Sequence, residues 1–512
     1  MLKNIGSNWA LNAIQILVFM VLTPFVVSTL GTDLYGGWVT LISLTGVLQL
    51  LILGIPMASV RYIAEHVAKD DKDAANRALS TCMAITMGMG AVAVLVGGLL
   101  FFGLTGYLTS DAWSLTAEQM SDARAAFVIV VANLAFGFLA RLPYGVFDAH
   151  QDFIARNLIM AGGLILRLVL TVTLLTMNTS LVVLALVQVL TMASEFVVAI
   201  TVSRRRHTGI RYRLQSFDRS MVRGVLSFSV YSMFLNMGAM LAFRVDALVI
   251  GANRAPTDVT IYDLGNKIFE PFIGIVLAIG MVVMPAATAM KARAEDQDLQ
   301  ELFLKWSKVC MSLVLLIGGY LLIVGPEFLS AWLGEDYVPE SGRLLQVLMI
   351  SFLLFLPVRG VALPILMGLD KPRRPALALL VMGLVNVALS IALVGPYGLL
   401  GVALGTAIPN VLFALFVAVT ACRELQLGVG RYLGHVLLRP LFGALLPAAG
   451  LYAWKVGPGI EGMPWLMVAG ISFTLLYALL SIVFVYRGDP HVDLDGQVRR
   501  LIGRSKNTGG QA

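Results

Sequence analysis

Charge is what this chain has least of. Asp, Glu, Lys and Arg make up 13% of its 512 residues, about half the roughly 25% of a soluble domain. A chain so short of charge cannot clothe a soluble globule of this size. Cysteine is nearly absent: Cys82, Cys310 and Cys422 are the three. Each lies at the cytoplasmic end of an apolar run, where thiols stay reduced, so no disulfide framework is expected. The five histidines, His66, His150, His207, His435 and His491, all fall on the cytoplasmic side and show no metal-ligand spacing. That argues against a zinc site and against histidine chemistry. The two-residue alternation of barrel strands is missing too, which excludes a membrane β-barrel.

What is present is apolar sequence, 58% of the chain, with a mean hydropathy of +0.85. It gathers into fourteen runs, near residues 8–30, 35–58, 79–104, 125–147, 158–177, 180–203, 224–250, 262–290, 307–325, 343–367, 376–394, 399–420, 435–454 and 463–486. Each approaches or exceeds the ~20 residues that cross a bilayer core as a helix. In lipid only a helix or a closed barrel satisfies the backbone. The expected fold is all-α, a polytopic membrane protein with about 14 transmembrane helices. The first run is too long for a signal-peptide core and lacks a small-x-small cleavage site, so no cleaved leader is expected.

Lysine and arginine orient the chain. With the N-terminus inside, the inner segments carry 28 of the 37 basic residues and the outer segments four, Arg124, Arg254, Arg343 and Lys455. This positive-inside bias places both termini in the cytoplasm. It also accounts for the net charge of +7, so no nucleic-acid partner is implied.

The chain repeats itself. Tyr35 opens the second run and Tyr262 the eighth, 227 positions on. Pro56 matches Pro285, and Cys82 matches Cys310. Arg141 and Asp152 are spaced like Arg359 and Asp370. Six helices per copy gives parallel halves, related by an axis along the membrane normal. The expected organisation is a six-helix half over 1–206, a basic cytoplasmic linker over 207–223, and a second six-helix half over 224–423. Extra helices 13 and 14 follow over 424–486, then a tail over 487–512. Two six-helix bundles around a central cavity is transporter architecture. The charged stretches Arg61–Arg77 and Lys291–Lys308 read as short helices on the inner membrane surface.

Polar groups hidden in the bilayer are costly and mark function or pairing. Asn4, Asn8, Asn12 and Gln15 form one stripe on the first helix, read either as interhelical glue or as a cavity face with Asn12 and Gln15 binding substrate. Arg61, Arg141 and Arg359 fall in the cytoplasmic half. They are snorkelling anchors or a cationic vestibule suited to phosphate. Arg167 and Glu195 lie deeper as a possible pair. Toward the outer side Arg244, Asp246, Asp263, Lys267 and Glu270 form a structural ion network, a gate or an ion-coupling cluster. No cofactor is implied. An enzyme would need acid and base residues outside the membrane. The longest outer loop, Thr105–Arg124, offers only Asp111, Glu118 and Asp122, so no enzyme is expected.

Two segments carry a family resemblance: Gly31, Tyr35, Gly36 and Trp38 leading to Gly54, Ala58, Arg61 and Tyr62, and Asp246, Val249, Ile250 and Gly251 leading to Tyr262. They resemble polysaccharide-type flippases of the multidrug/oligosaccharidyl-lipid/polysaccharide exporter (MATE-like) superfamily. Asp263 after Tyr262 departs from the small residue commoner there. The resemblance implies a transporter, with alternating access, that flips a polyprenyl-pyrophosphate-linked oligosaccharide to the periplasmic leaflet. It implies helices 1, 2, 7 and 8 around the cavity, and as partners the lipid-linked substrate, membrane lipids, a polysaccharide polymerase and assembly proteins. A cation-coupled multidrug antiporter of the same superfamily and a non-transporting scaffold of an export complex are the alternatives.

Overall fold

The computed structural model describes residues 2–52, 54–108, 116–335 and 338–492, with all their side chains except those of 2–5, 104–108, 227–233, 235 and 338. Asp111 and most of the tail expected over 487–512 lie outside the described residues. Every described element is helical: α1 (Leu2–Leu48), α2 (Ile55–Ala68), α3 (Lys72–Leu108), α4 (Ala117–Ala140), α5 (Leu142–Ala149), α6 (Phe153–Met177), α7 (Leu181–Arg206), α8 (Arg219–Phe243), α9 (Asp246–Asn253), α10 (Pro256–Lys267), α11 (Phe269–Ala292), α12 (Asp296–Leu333), α13 (Val338–Pro357), α14 (Leu363–Gly368), α15 (Arg373–Glu424), α16 (Val429–Tyr432), α17 (Arg439–Val456) and α18 (Gly462–Leu480).

Among the described residues, eleven helical stretches are long and apolar enough to cross a membrane, against the fourteen runs in the sequence. The two numbers part at three places. The stretch from Gly6 to Ala68 has 63 residues and as one rod would reach about 95 Å, three times the ~30 Å hydrocarbon core. It holds Gly31 at φ +75. The 52-residue α15 holds Gly398 at φ +58. With ψ at 171 and −139 these combinations are open almost to glycine alone, so the two positions let the chain change direction inside an apparently continuous helix. The third place is the run expected over 224–250, where the side chains of 227–233 and 235 lie outside the described residues. It is divided between α8 and α9, with Arg244 and Val245 at the break.

The turns after the second, fourth, eighth, tenth and twelfth runs share one construction. Asp70, Gln151, Ala294, Asp370 and Gln426 each take a left-handed φ of +51 to +58. The following amide then reaches back five residues: Asp71 to His66, Asp152 to Phe147, Glu295 to Met290, Lys371 to Leu366 and Leu427 to Cys422, at 2.8–3.1 Å. These are Schellman caps, which satisfy helix-end carbonyls locally. They correct one expectation. Arg61–Arg77 and Lys291–Lys308 are not separate surface helices. Each is a helix end, a capped turn and the start of the next helix, because the cap redirects the chain within two residues.

The chain divides into two compact units, Met1–Asp263 and Leu264–Ala512. The dividing point falls within α10 rather than in the basic linker, so α8 and α9 group with the first unit. In that unit α1 packs on α6, α3 on α4, and α7 on both α4 and α6. A buried cluster of Ile55, Ile63, Leu79, Cys82, Val146 and Val225 joins α2, α3, α5 and α8. In the second unit α12 is the hub, packed by α11, α13, α17 and α18. The extra helices α17 and α18 meet α12 through Val324, Leu451, Leu466 and Phe473.

Candidate functional site

The sharpest polar geometry in the first unit lies where α1 restarts after Gly31. The Thr260 hydroxyl donates to the Thr32 carbonyl at 2.6 Å, and the Tyr35 hydroxyl donates to Asp263 at 2.8 Å. Each pair is separated by 228 positions, the spacing of the repeat marks. Thr257 donates to Asp33 at 2.8 Å alongside them. Gly36 permits the approach: a Cβ there would stand 2.0 Å from the Pro256 carbonyl oxygen. Tyr262, matched to Tyr35, also donates to an aspartate, the buried Asp246, at 2.7 Å.

Sequence reasoning placed both aspartates in this cluster, with Lys267 on one helical face between Asp263 and Glu270. It marked Tyr35 and Tyr262 as repeat positions and not as partners of the aspartates. The signal was present in the two matched tyrosines, each within reach of an acid. Arg244 is exposed, its amide capping α8 through Met240. Lys267 is half-buried and Glu270 exposed, and both belong to the second unit. A hydrogen bond to a carboxylate is worth about 1.5–3 kcal/mol. In an unfolding cycle, Tyr35→Phe and Asp263→Asn should therefore couple by at least ~1 kcal/mol. Strictly additive single losses would show that this bond contributes nothing.

The three arginines of the proposed vestibule are placed differently. Arg61 is exposed on α2, 6.0 Å from the Tyr62 ring centroid. Arg141 is exposed at the α4–α5 junction. Both belong to the first unit. Arg359, in the second, is half-buried in a π-helical turn, Val358–Ala362, between α13 and α14. Such turns recur at functional positions.

The α1 stripe divides in use. Asn8 accepts from Asn157 at 2.5 Å and from Arg156 at 3.4 Å, and Arg156 pairs with Asp148 at 2.6 Å. Asn8 is thus interhelical glue. Asn12 is half-buried and Gln15 exposed. The Asn4 side chain lies outside the described residues. Glu195 accepts from Tyr144 at 2.8 Å and lies within electrostatic range of Arg167. Asp122, the candidate acid of an outer loop, accepts from Ser180 at 2.8 Å and from the Leu181 amide at 2.7 Å. It caps the start of α7.

One cluster escaped sequence reasoning. Lys308 is fully buried in α12. It donates to the Val485 carbonyl at 2.6 Å and pairs with Asp489, whose side chain is fully buried too. Its ammonium lies 5.1 Å from the Tyr486 ring centroid, and His435 lies 3.7 Å from Asp489. This ties the end of the last membrane helix to α12.

Residues 1–291 match the family described as polysaccharide biosynthesis protein. The chain belongs to that family. It is 23% identical over 504 residues to the uncharacterized membrane protein EpsK of Bacillus subtilis (strain 168), covering 94% of this chain and 95% of that one. It is 22% identical over 422 residues to a putative O-antigen transporter of Shigella flexneri, covering 81% and 96%. Its fold is similar to that of the lipid II flippase MurJ in an inward closed conformation, with a TM-score of 0.70 at 14% identity, over 95% of this chain and 99% of that one.

Proposed function

We propose that this member of the polysaccharide biosynthesis family flips a polyprenyl-pyrophosphate-linked oligosaccharide from the cytoplasmic to the periplasmic leaflet of the inner membrane. It would do so for cell-surface polysaccharide assembly. The family match over residues 1–291 carries the reading. Its relatives include one named a putative O-antigen transporter, and a lipid II flippase has a similar fold.

The chemistry is consistent. A pyrophosphate needs donors that stay charged, and arginine offers a planar fork at any working pH. Arg61, Arg141 and Arg359 take that role, and Asn12 and Gln15 offer neutral hydrogen bonds to sugar. Arg244, Asp246 and Asp263 of the first unit and Lys267 and Glu270 of the second take the gate or ion-coupling role. An inside-negative potential helps expel an anion by about 2.3 kcal/mol per charge per 100 mV. A doubly charged pyrophosphate that crosses unneutralised would gain roughly 4–5 kcal/mol.

The deciding experiment is removal of the protein from its own cell. A lipid-linked oligosaccharide should accumulate on the inner leaflet, and its mass would name the sugar. Absence of any such intermediate, with export of organic cations lost instead, would favour the antiporter. Orientation has its own check. The three native cysteines are buried, so added cysteines report cleanly. Ala255→Cys and Gly334→Cys should react with an impermeant reagent in intact cells. Gln215→Cys and Asp298→Cys should react only after permeabilisation, and the reverse pattern would invert the topology.

A further inference from the structure

The basic stretch after α7 is expected to be a tether, and the structure shows it built onto α3. Three residues of α3 hold it, Asn76, Ser80 and Thr81, all buried. The Asn76 amide donates to the Gly209 carbonyl at 2.7 Å and accepts from the Arg211 amide at 2.7 Å. Ser80 donates to the Arg213 carbonyl at 2.5 Å. Thr81 accepts from the Asp218 amide at 3.1 Å.

This fixes two apolar side chains in the open. Leu214 and Phe217 are 44% and 46% exposed, and with Ala84 and the 46% exposed Met87 they line one shallow groove on α3. Along the chain the groove is bracketed by exposed Arg211, Arg213, Arg219 and Arg223, and Arg77 lies close enough to act on Asp218. Asp218 is the single acid of the stretch 207–223. An apolar slot whose lining residues Leu214 and Phe217 are flanked in the chain by exposed arginines has the chemistry of one occupant. It matches a lipid with an acyl chain and a phosphate of net negative charge.

We infer that residues 211–223 form a binding site for an anionic phospholipid of the leaflet they face. The acyl chain lies in the Ala84–Met87–Leu214–Phe217 groove, and Arg213 and Arg219 take the phosphate. This reading stands apart from substrate flipping and holds whether or not the chain transports.

The test is lipid retention. The full chain, purified in mild detergent, is offered equimolar phosphatidylglycerol and phosphatidylcholine of identical acyl chains, and bound lipid is read by native mass spectrometry. We expect a clear preference for phosphatidylglycerol. Each arginine near a charged surface is worth about a fivefold change in binding, so Arg213→Gln with Arg219→Gln should cut the preference roughly 25-fold. Phe217→Ser should lower retention of both lipids. The control Arg373→Gln with Arg374→Gln removes equal charge elsewhere and should leave the preference intact. Equal loss in the control, or an undiminished preference in the Arg213/Arg219 variant with a normal size-exclusion profile, would overturn the inference.

Discussion

Lys308→Ala should unfold the second unit in detergent at temperatures where the native chain remains intact. The lysine is fully buried, and its partner Asp489 is buried with it. Removing one member of a buried pair strands the other charge, which costs about 3–5 kcal/mol. Removing both does not. Lys308→Met combined with Asp489→Leu should recover most of the loss, as measured by thermal unfolding of purified protein. A single variant as stable as the native chain would show that Asp489 finds water. Acidity offers a second reading of the same pair. Burial opposes the charge on Asp489. The Lys308 hydrogen bond, the His491 amide and the Lys308 charge outweigh it and hold the carboxyl below its ordinary value. A lowered folded-state value means the stabilisation is complete above the unfolded value of about 4. It is lost as pH falls through the lowered one. The native chain should therefore weaken below about pH 4, and Asp489→Asn should flatten that limb.

Arg359→Ala should slow flipping about 10- to 100-fold at normal protein level, the size of a lost charge-assisted bond to phosphate at about 1.5–3 kcal/mol. The measurement is delivery of a lipid-linked oligosaccharide across proteoliposomes. Arg359→Lys should restore part of the rate, because it keeps the charge and loses the fork. Arg61→Ala and Arg141→Ala should cost less, since both side chains are exposed and water can replace part of what they offer. Full activity in all three alanine variants would make these arginines anchors to lipid headgroups.

The class of the fold was legible in the sequence because lipid leaves the backbone few choices. Long apolar runs with positive loops on one side admit little besides a polytopic helical protein. The breaks were less legible. Gly31 and Gly398 sit among many glycines, and nothing in the sequence marks those two as the ones that interrupt a continuous helix. Asn8 and Asn12 share a stripe, yet one binds Asn157 and Arg156 while the other does not. That difference depends on which helix packs alongside, and periodicity carries no record of it. Lys308 looked like one more basic residue on the inner side. Its burial follows from Asp489, 181 positions away, a contact that no local pattern announces. Asn76, Ser80 and Thr81 form a recognisable polar group at the start of α3, but what they hold lies more than 130 residues downstream.

The five Schellman turns bear on how such a chain is made. Each is closed by backbone bonds spanning six residues, and these caps use no atom from outside the turn. A pair of helices joined this way can fold back on itself as it leaves the ribosome, before the rest of the chain exists. Such a pair is able to enter the bilayer as a hairpin rather than as two single rods. Each hairpin returns the chain to the side it came from. A hairpin can consequently be gained, lost or duplicated without turning any other loop inside out, so ancestral growth in steps of two helices carries no topological penalty.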